Sequence, residues 1–409
     1  MYWISWSLMI GCAGKTFGSG DPTDLNTDLD DTQIHQSCLE DDGLIVATPD
    51  EEGYAQYLVQ GFSRYTSIVA PNGGVIPLFA QDQVTDAQLI RARNILRFYL
   101  TDVPNSTWGS DKSVVANFMV DNHAALMMPN GTHEEGNEPR LNAQSLYENE
   151  TPVEGHAWFM NSDYEHRDAA FEEIFHLLHD TGIGTYVQGA YPEYQSELKQ
   201  EAITSIEDGR WGIPVDDGVI DWLDELERED SLAQEYIASV IDSYYGLWGA
   251  FTEVPGGMWG IYIAKTRAEV QEFDSVGEGL LLDFLPPLIH TEFRLHPDLD
   301  TDFHMSFDEA LPYTHRSQYF TTLTLTGDRP IGLFGNDENN TLRGNIANNI
   351  LDGVSGDNTA IYCHNQEEYT IEGEPDLFTI SGVEGTDELH NIQWVHFANG
   401  KVSTRLLFE

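Results

Sequence analysis

Between Asp168 and Asp180 the chain reads Asp-Ala-Ala-Phe-Glu-Glu-Ile-Phe-His-Leu-Leu-His-Asp, a run whose carboxylates and imidazoles fall at spacings that suit a metal ion. At 100° per residue, Ala170, Phe171, Ile174, Phe175, Leu177 and Leu178 share one broad arc of a helix, while Glu172, Glu173, His176, His179 and Asp180 crowd the other. Glu172 and His176 are four apart and His176 and His179 three apart, so these side chains stack on one face within reach of a single ion. Carboxylate oxygen and imidazole nitrogen are donors that zinc and related ions accept. A surface helix also divides into an apolar and a polar arc. This polar arc differs in having no Lys or Arg to balance its carboxylates. Thr181-Gly182 predicts the helix end.

Such a helix needs a scaffold. The 409 residues suffice for two domains, or for one large domain with an appendage. Residues 1–45 begin apolar and continue as an acidic, aperiodic linker. Strands are expected around Gly43–Thr48, Tyr65–Ala70, Val75–Phe79 and Ala124–Met128, with helices at Thr85–Leu100 and Lys112–Met119. Glu154–Met160 reads as a short extended edge segment just before the central helix. Helical patterns return at Tyr194–Ile206 and Leu232–Trp248, the latter carrying Glu235. Strands followed by helices, segregated rather than alternating, argue for an α+β fold.

This order resembles the zincin metallopeptidases, and within them the anthrax lethal factor-like group, over about residues 45–270. In that family the active helix carries His-Glu-x-x-His and a later helix supplies a Glu as third zinc ligand. Here Glu172-Glu173-Ile-Phe-His176 stands at the first motif and Glu235-Tyr-Ile-Ala-Ser-Val at the second. The resemblance therefore implies Glu172, His176 and Glu235 as ligands of zinc or another divalent transition metal; His179, one turn on and on the same arc, is an additional donor by its spacing. The same resemblance implies Glu173 as general base in hydrolysis of a peptide or protein substrate. Glu172 replaces the family's first His, which leaves open a degenerate, inactive relative. His123, His133 and His156 are isolated and more simply structural, Tyr244 and Tyr245 read as packing with Trp248, and a glycosidase pair of carboxylates is not fixed by any spacing.

From Gly335 a nine-residue period begins: Gly-Asn-Asp-Glu-Asn-Asn-Thr-Leu-Arg343, Gly-Asn-Ile-Ala-Asn-Asn-Ile-Leu-Asp352, Gly-Val-Ser-Gly-Asp-Asn-Thr-Ala-Ile361. It resembles the hemolysin-type (RTX) repeat, whose turns bind Ca²⁺ and whose apolar residue builds a parallel β-roll. Leu342, Leu351 and Ala360 fill the apolar slot, but the slot of the calcium-ligating Asp holds Asn340, Asn349 and Asn358. The expectation is a small β-roll over 326–409 with one calcium site or none, the candidates being Asp352 and Asp357, after a zincin-like domain over 46–325. An Asn/Gly-rich loop between two strands is the simpler alternative.

Composition narrows the partners. With 19 Lys and Arg against 69 Asp and Glu the net charge is −50, which excludes nucleic acid and favours cations or a salty, marine-type medium. The start, Met1 to Cys12, resembles the tail of a bacterial lipoprotein signal, although no basic residue precedes its apolar run. An exported or surface-held monomer is expected, with Cys12 as a candidate lipid anchor and Cys38 and Cys363 as a candidate disulfide.

Overall fold

A computed structural model describes Cys38, residues 44–133 and residues 139–409. Cys12 and nearly all of the expected linker lie outside the described residues. The protein mixes α and β structure, with strands at both ends of the described chain and helices gathered between them.

The N-terminal sheet has the order β1 (Val46–Ala47), β2 (Arg64–Val69), β3 (Val75–Ala80), β4 (Leu126–Met128) and β5 (Gln144–Ser145). The first three strands pair antiparallel, and β3–β4 and β4–β5 pair parallel. Helix α1 (Ala55–Val59) fills the β1–β2 connection, and α2 (Asp86–Tyr99) packs beneath the sheet. Thr85 starts α2 through a reciprocal capping box with Gln88, as its sequence suggests. α3 (Ser113–Asp121) precedes β4.

The expected edge segment is placed differently. Glu154 is buried against Arg91, Ala157–Met160 is a short helix, α4, and the outermost strand is β5. β5 is two residues long and polar, so it carries no alternating pattern to read. The central helix α5 spans Ala170–Leu178 and widens into a π-type turn over His179–Gly184. It is followed by α6 (Pro192–Glu207), α7 (Asp217–Glu229), α8 (Leu232–Tyr244), α9 (Arg267–Phe273) and α10 (Ser275–Leu282). α7 was not expected, although Val219, Trp222, Leu223 and Leu226 recur at helical spacing among its acidic residues and Trp222 and Leu223 pack against the core.

Beyond α10, β6 (Ile289–Arg294), β7 (Phe303–His304), β8 (Phe320–Thr324), β9 (Gly332–Phe334), β10 (Thr341–Arg343), β11 (Ile350–Asp352) and β12 (Thr359–Ile361) alternate between two sheets. Each repeat strand pairs parallel with the strand two repeats on, as Thr341 with Thr359 (359 − 341 = 18 positions). Leu342, Leu351 and Ala360 are fully buried, as the apolar slot requires. The same sheets take in β6 and β8, so the parallel stack reaches upstream of the division expected at 326. A hairpin of β13 (Thr370–Glu374) and β14 (Leu377–Gly382) leads to β15 (Gly385–His390), and β16 (Trp394–Phe397) and β17 (Gly400–Ser403) end the other sheet.

The Asn slots are hydrogen-bonded rungs. Asn358 Oδ1 accepts from Asn340 N at 2.8 Å, and Gln393 Oε1 accepts from Asn358 N at 2.8 Å. On the other sheet Asp387 Oδ1 accepts from Asn349 N at 2.9 Å. Each of these side-chain oxygens accepts from a backbone N–H of a neighbouring turn, and two of the three belong to neutral amides. One hydrophobic core runs from Ile76 to Phe397, and the Cys38–Cys363 disulfide, with Cα atoms 5.5 Å apart, ties the N-terminal segment to the stack.

Candidate metal centre

α5 enters the core with its polar arc turned toward α8 and a solvent-open cleft rather than toward bulk water. Glu172 and His176 are buried, and with Glu173 they offer ligand atoms within 4.8 Å of one another, the sole such group of three among the described residues. Glu235, in the first turn of α8, brings its Oε1 to 3.7 Å from His176 Nε2. The helical spacing thus unites Glu172, Glu173 and His176, and the later helix delivers Glu235. The cleft encloses about 520 Å³, and its lining also includes Arg167, Val219, Trp222, Met258 and Trp259.

Hydrogen bonds and charge fix how these groups stand. Gln144 of β5 donates to Glu173 Oε2 at 2.7 Å, so the edge strand orients that carboxylate. His176 Nδ1 lies 3.5 Å from the same oxygen. Burial opposes charge on Glu173, but the hydrogen bond and charge of His176, then Arg167 and Gln144, hold it below the ordinary carboxylate value. Burial likewise opposes the imidazolium of His176, yet Glu235, then Glu173, and Glu172 override it and hold its pKa up to about 10. Glu235 is pushed up to about 7, chiefly by burial, with His176 acting against the shift and Glu172 and Glu173 adding to it.

His176 Nε2 is buried with no hydrogen-bond partner, a donor atom aimed among carboxylates. With the imidazole neutral, three carboxylates and the Arg167 guanidinium sum to −3 + 1 = −2, the charge that one divalent cation cancels. These residues fit a divalent metal held by Glu172, His176 and Glu235. Arg167, immediately before the helix, folds back to pair with Glu172 Oε2 and supplies the cation absent from the polar arc. Sequence periodicity could not show it, since Arg167 precedes the helix.

His179 does not join the group. Its ring is fully buried, packs on Phe175 at 5.5 Å between centroids, and pairs through Nε2 with Gln195 Oε1 of α6. A lone helix would leave His179 on the polar arc, but α6 covers that turn. Burial pushes its pKa down to about 4, with the charge of His176 adding and Gln195 opposing.

Asp168 anchors the start of α5. Its carboxylate takes two hydrogen bonds from Arg91, at 3.1 and 3.0 Å, and one from Arg316 at 2.8 Å, while Arg91 Nε also reaches Glu154 at 2.9 Å. Opposite the site, consecutive non-glycine residues Met258 and Trp259 adopt φ of 44° and 57°, a left-handed geometry costing roughly 1–2 kcal/mol per residue.

The remaining candidates lie elsewhere. His156 accepts from Trp158 N at 3.4 Å at the start of α4, His133 packs edge-on against Tyr147, and Tyr244 and Tyr245 are buried. His123, with φ of 58°, follows α3 and is outside the cleft lining. Asp352 Oδ1 accepts from Val354 N and Asn391 Nδ2, each at 2.8 Å, and Asp357 Oδ1 accepts from Trp394 Nε1 at 2.9 Å. No helix among the described residues is long and apolar enough to cross a membrane. The chain matches no protein-family model, no curated protein and no solved structure.

Proposed function

We propose that this protein is a metal-dependent peptidase with a zincin-like site, in which Glu172, His176 and Glu235 hold a divalent transition ion such as zinc. The observation that carries this reading is the meeting of Glu172, Glu173, His176 and Glu235 around an unpartnered imidazole nitrogen in an open cleft. When bound, the ion would supply Lewis acidity, polarising a substrate carbonyl and making water easier to deprotonate. Glu173, kept ionised chiefly by His176 and oriented by Gln144, is the group able to take a proton from that water and pass it to the leaving amine. Arg167 is a hydrogen-bond donor at the cleft and limits the excess negative charge that would repel a peptide carbonyl.

Glu173→Gln in the intact chain tests the role of the base. Turnover of a peptide library should fall by about 10²-fold or more while metal content and the circular dichroism spectrum stay unchanged. Loss of metal in that variant would make Glu173 a ligand.

A second reading, a non-catalytic binding protein on the same scaffold, is favoured by the Arg167–Glu172 ion pair, which competes with a metal for that carboxylate. No turnover with zinc, manganese or cobalt supplied would select it. On either reading we propose an exported or surface-held bacterial protein whose repeat region is RTX-like. Calcium would be confined to the turns of Asp352 and Asp357, each of which already accepts hydrogen bonds at Oδ1.

A further inference from the structure

Part of the cleft lining is apolar and takes no part in the proposed proton transfer. Val219 and Trp222 come from α7, and Met258, Trp259 and Ile261 from the turn that follows Gly256. Two left-handed residues with Cβ atoms in succession require surroundings that impose the conformation. Those surroundings are present. Gly257 N donates to Tyr262 O at 2.9 Å and Tyr262 N returns to Gly257 O at 3.3 Å, closing the turn. Gly257 approaches α8 so closely that a Cβ there would meet Ser243 Oγ at 2.4 Å. Ser239 Oγ lies 2.8 Å from Met258 Sδ and 2.9 Å from the carbonyl of Glu235, which fixes the turn to the helix that delivers the proposed ligand.

The consequence is an indole held at the cleft instead of in the core. Trp259 remains 44% exposed, braced edge-on by Trp248 at 4.8 Å and Phe251 at 5.6 Å. An apolar concavity beside a few fixed polar groups recognises a ligand by burying an apolar part of it.

We propose that Trp222, Met258 and Trp259 form a specificity subsite that selects peptides with a large apolar side chain, aromatic or branched aliphatic, next to the bond presented to Glu173 and His176. This rests on the peptidase reading for the bond but on the strained turn for the preference. Burying such a side chain favours it over glycine by roughly 10–100-fold. Trp259 is a specificity residue here, since it faces the substrate side chain and not the reacting atoms.

Calorimetric titration of the intact Glu173→Gln chain with acetylated hexapeptides differing at one central residue, Phe or Gly, tests this without turnover. The Phe peptide should bind about 10-fold or more tightly than the Gly peptide. Adding Trp259→Ala should bring the two peptides within about twofold, with the Gly peptide unaffected. Trp259→Gly, which relaxes the left-handed backbone, is the second variant should the first fail to fold. Equal affinities, no binding of either peptide, a preference retained in both variants, or tighter binding of a soluble oligosaccharide would overturn the subsite. Binding preference without cleavage by the unaltered chain would leave the subsite standing and remove the peptidase reading. Cleavage without residue preference would do the reverse.

Discussion

His176 carries a proton that a metal must displace. Its pKa, held up to about 10, lies above the ordinary histidine value, so the folded, metal-free chain binds a proton that the unfolded chain releases between about pH 6.5 and 10. That contribution to stability is fully present below about pH 6.5 and is lost as pH rises through about 10. Thermal melts in chelator should therefore fall with alkalinity more steeply for the unaltered chain than for His176→Gln, and equal slopes would deny the imidazolium. Metal uptake at neutral pH should release that proton, so affinity should strengthen toward alkaline pH. Glu172, Glu173 and His176 were legible because 3.6-residue periodicity alone puts them together, and Glu235 entered through the family resemblance. His179 misled because a single helix cannot show which neighbour will cover it. Gln144 and Trp259 were invisible for a related reason, since each lies on another segment and reaches the cleft through tertiary folding, whereas Arg167 sits just before the helix and outside its period.

Holding α5 in register falls to a buried ionic cluster. Asp168 starts the helix, Arg91 comes from α2 and Arg316 from the segment between β7 and β8, so three parts of the chain meet at one carboxylate. α2 is also tied to β6, where Asn94 Nδ2 donates to Glu292 O at 2.9 Å and Thr291 Oγ1 to Asn94 O at 2.9 Å. Removing one partner leaves uncompensated buried charge, so Arg91→Met should cost about 3–5 kcal/mol in denaturant unfolding. A loss below about 1 kcal/mol would mean that the cluster does not hold the helix. Thr85–Leu100 was readable because its cap and apolar period agree, and Leu232–Tyr244 through its apolar period alone. β5 was not, being too short for a period, while α7 carries a helical period in Val219, Trp222, Leu223 and Leu226 set among acidic residues.

Across the molecule, a net charge of −50 sits on a chain closed by one disulfide and a stack of strands, with amide rungs where cations would otherwise neutralise Asp. The nine-residue period was legible as strand and turn because each repeat is self-similar. Where the stack begins was not, since β6 and β8 carry no repeat motif yet pair with it. The Asn rungs predict that the intact chain keeps its β circular dichroism in chelator, and that calcium at about 0.1–1 mM raises its melting temperature by a few degrees at most. Unfolding of the stack in chelator would mean that its turns need the ion. The central claim concerns a different ion, held between α5 and α8, and elemental analysis of the purified full chain tests it most directly. After supply of zinc, manganese and cobalt and removal of loose ions, the chain should retain about one transition metal ion per molecule. The His176→Ala/Glu235→Ala double variant should retain none, and His179→Ala should retain as much as the unaltered chain. An unaltered chain without metal, or a double variant that holds as much as its parent, would contradict the account.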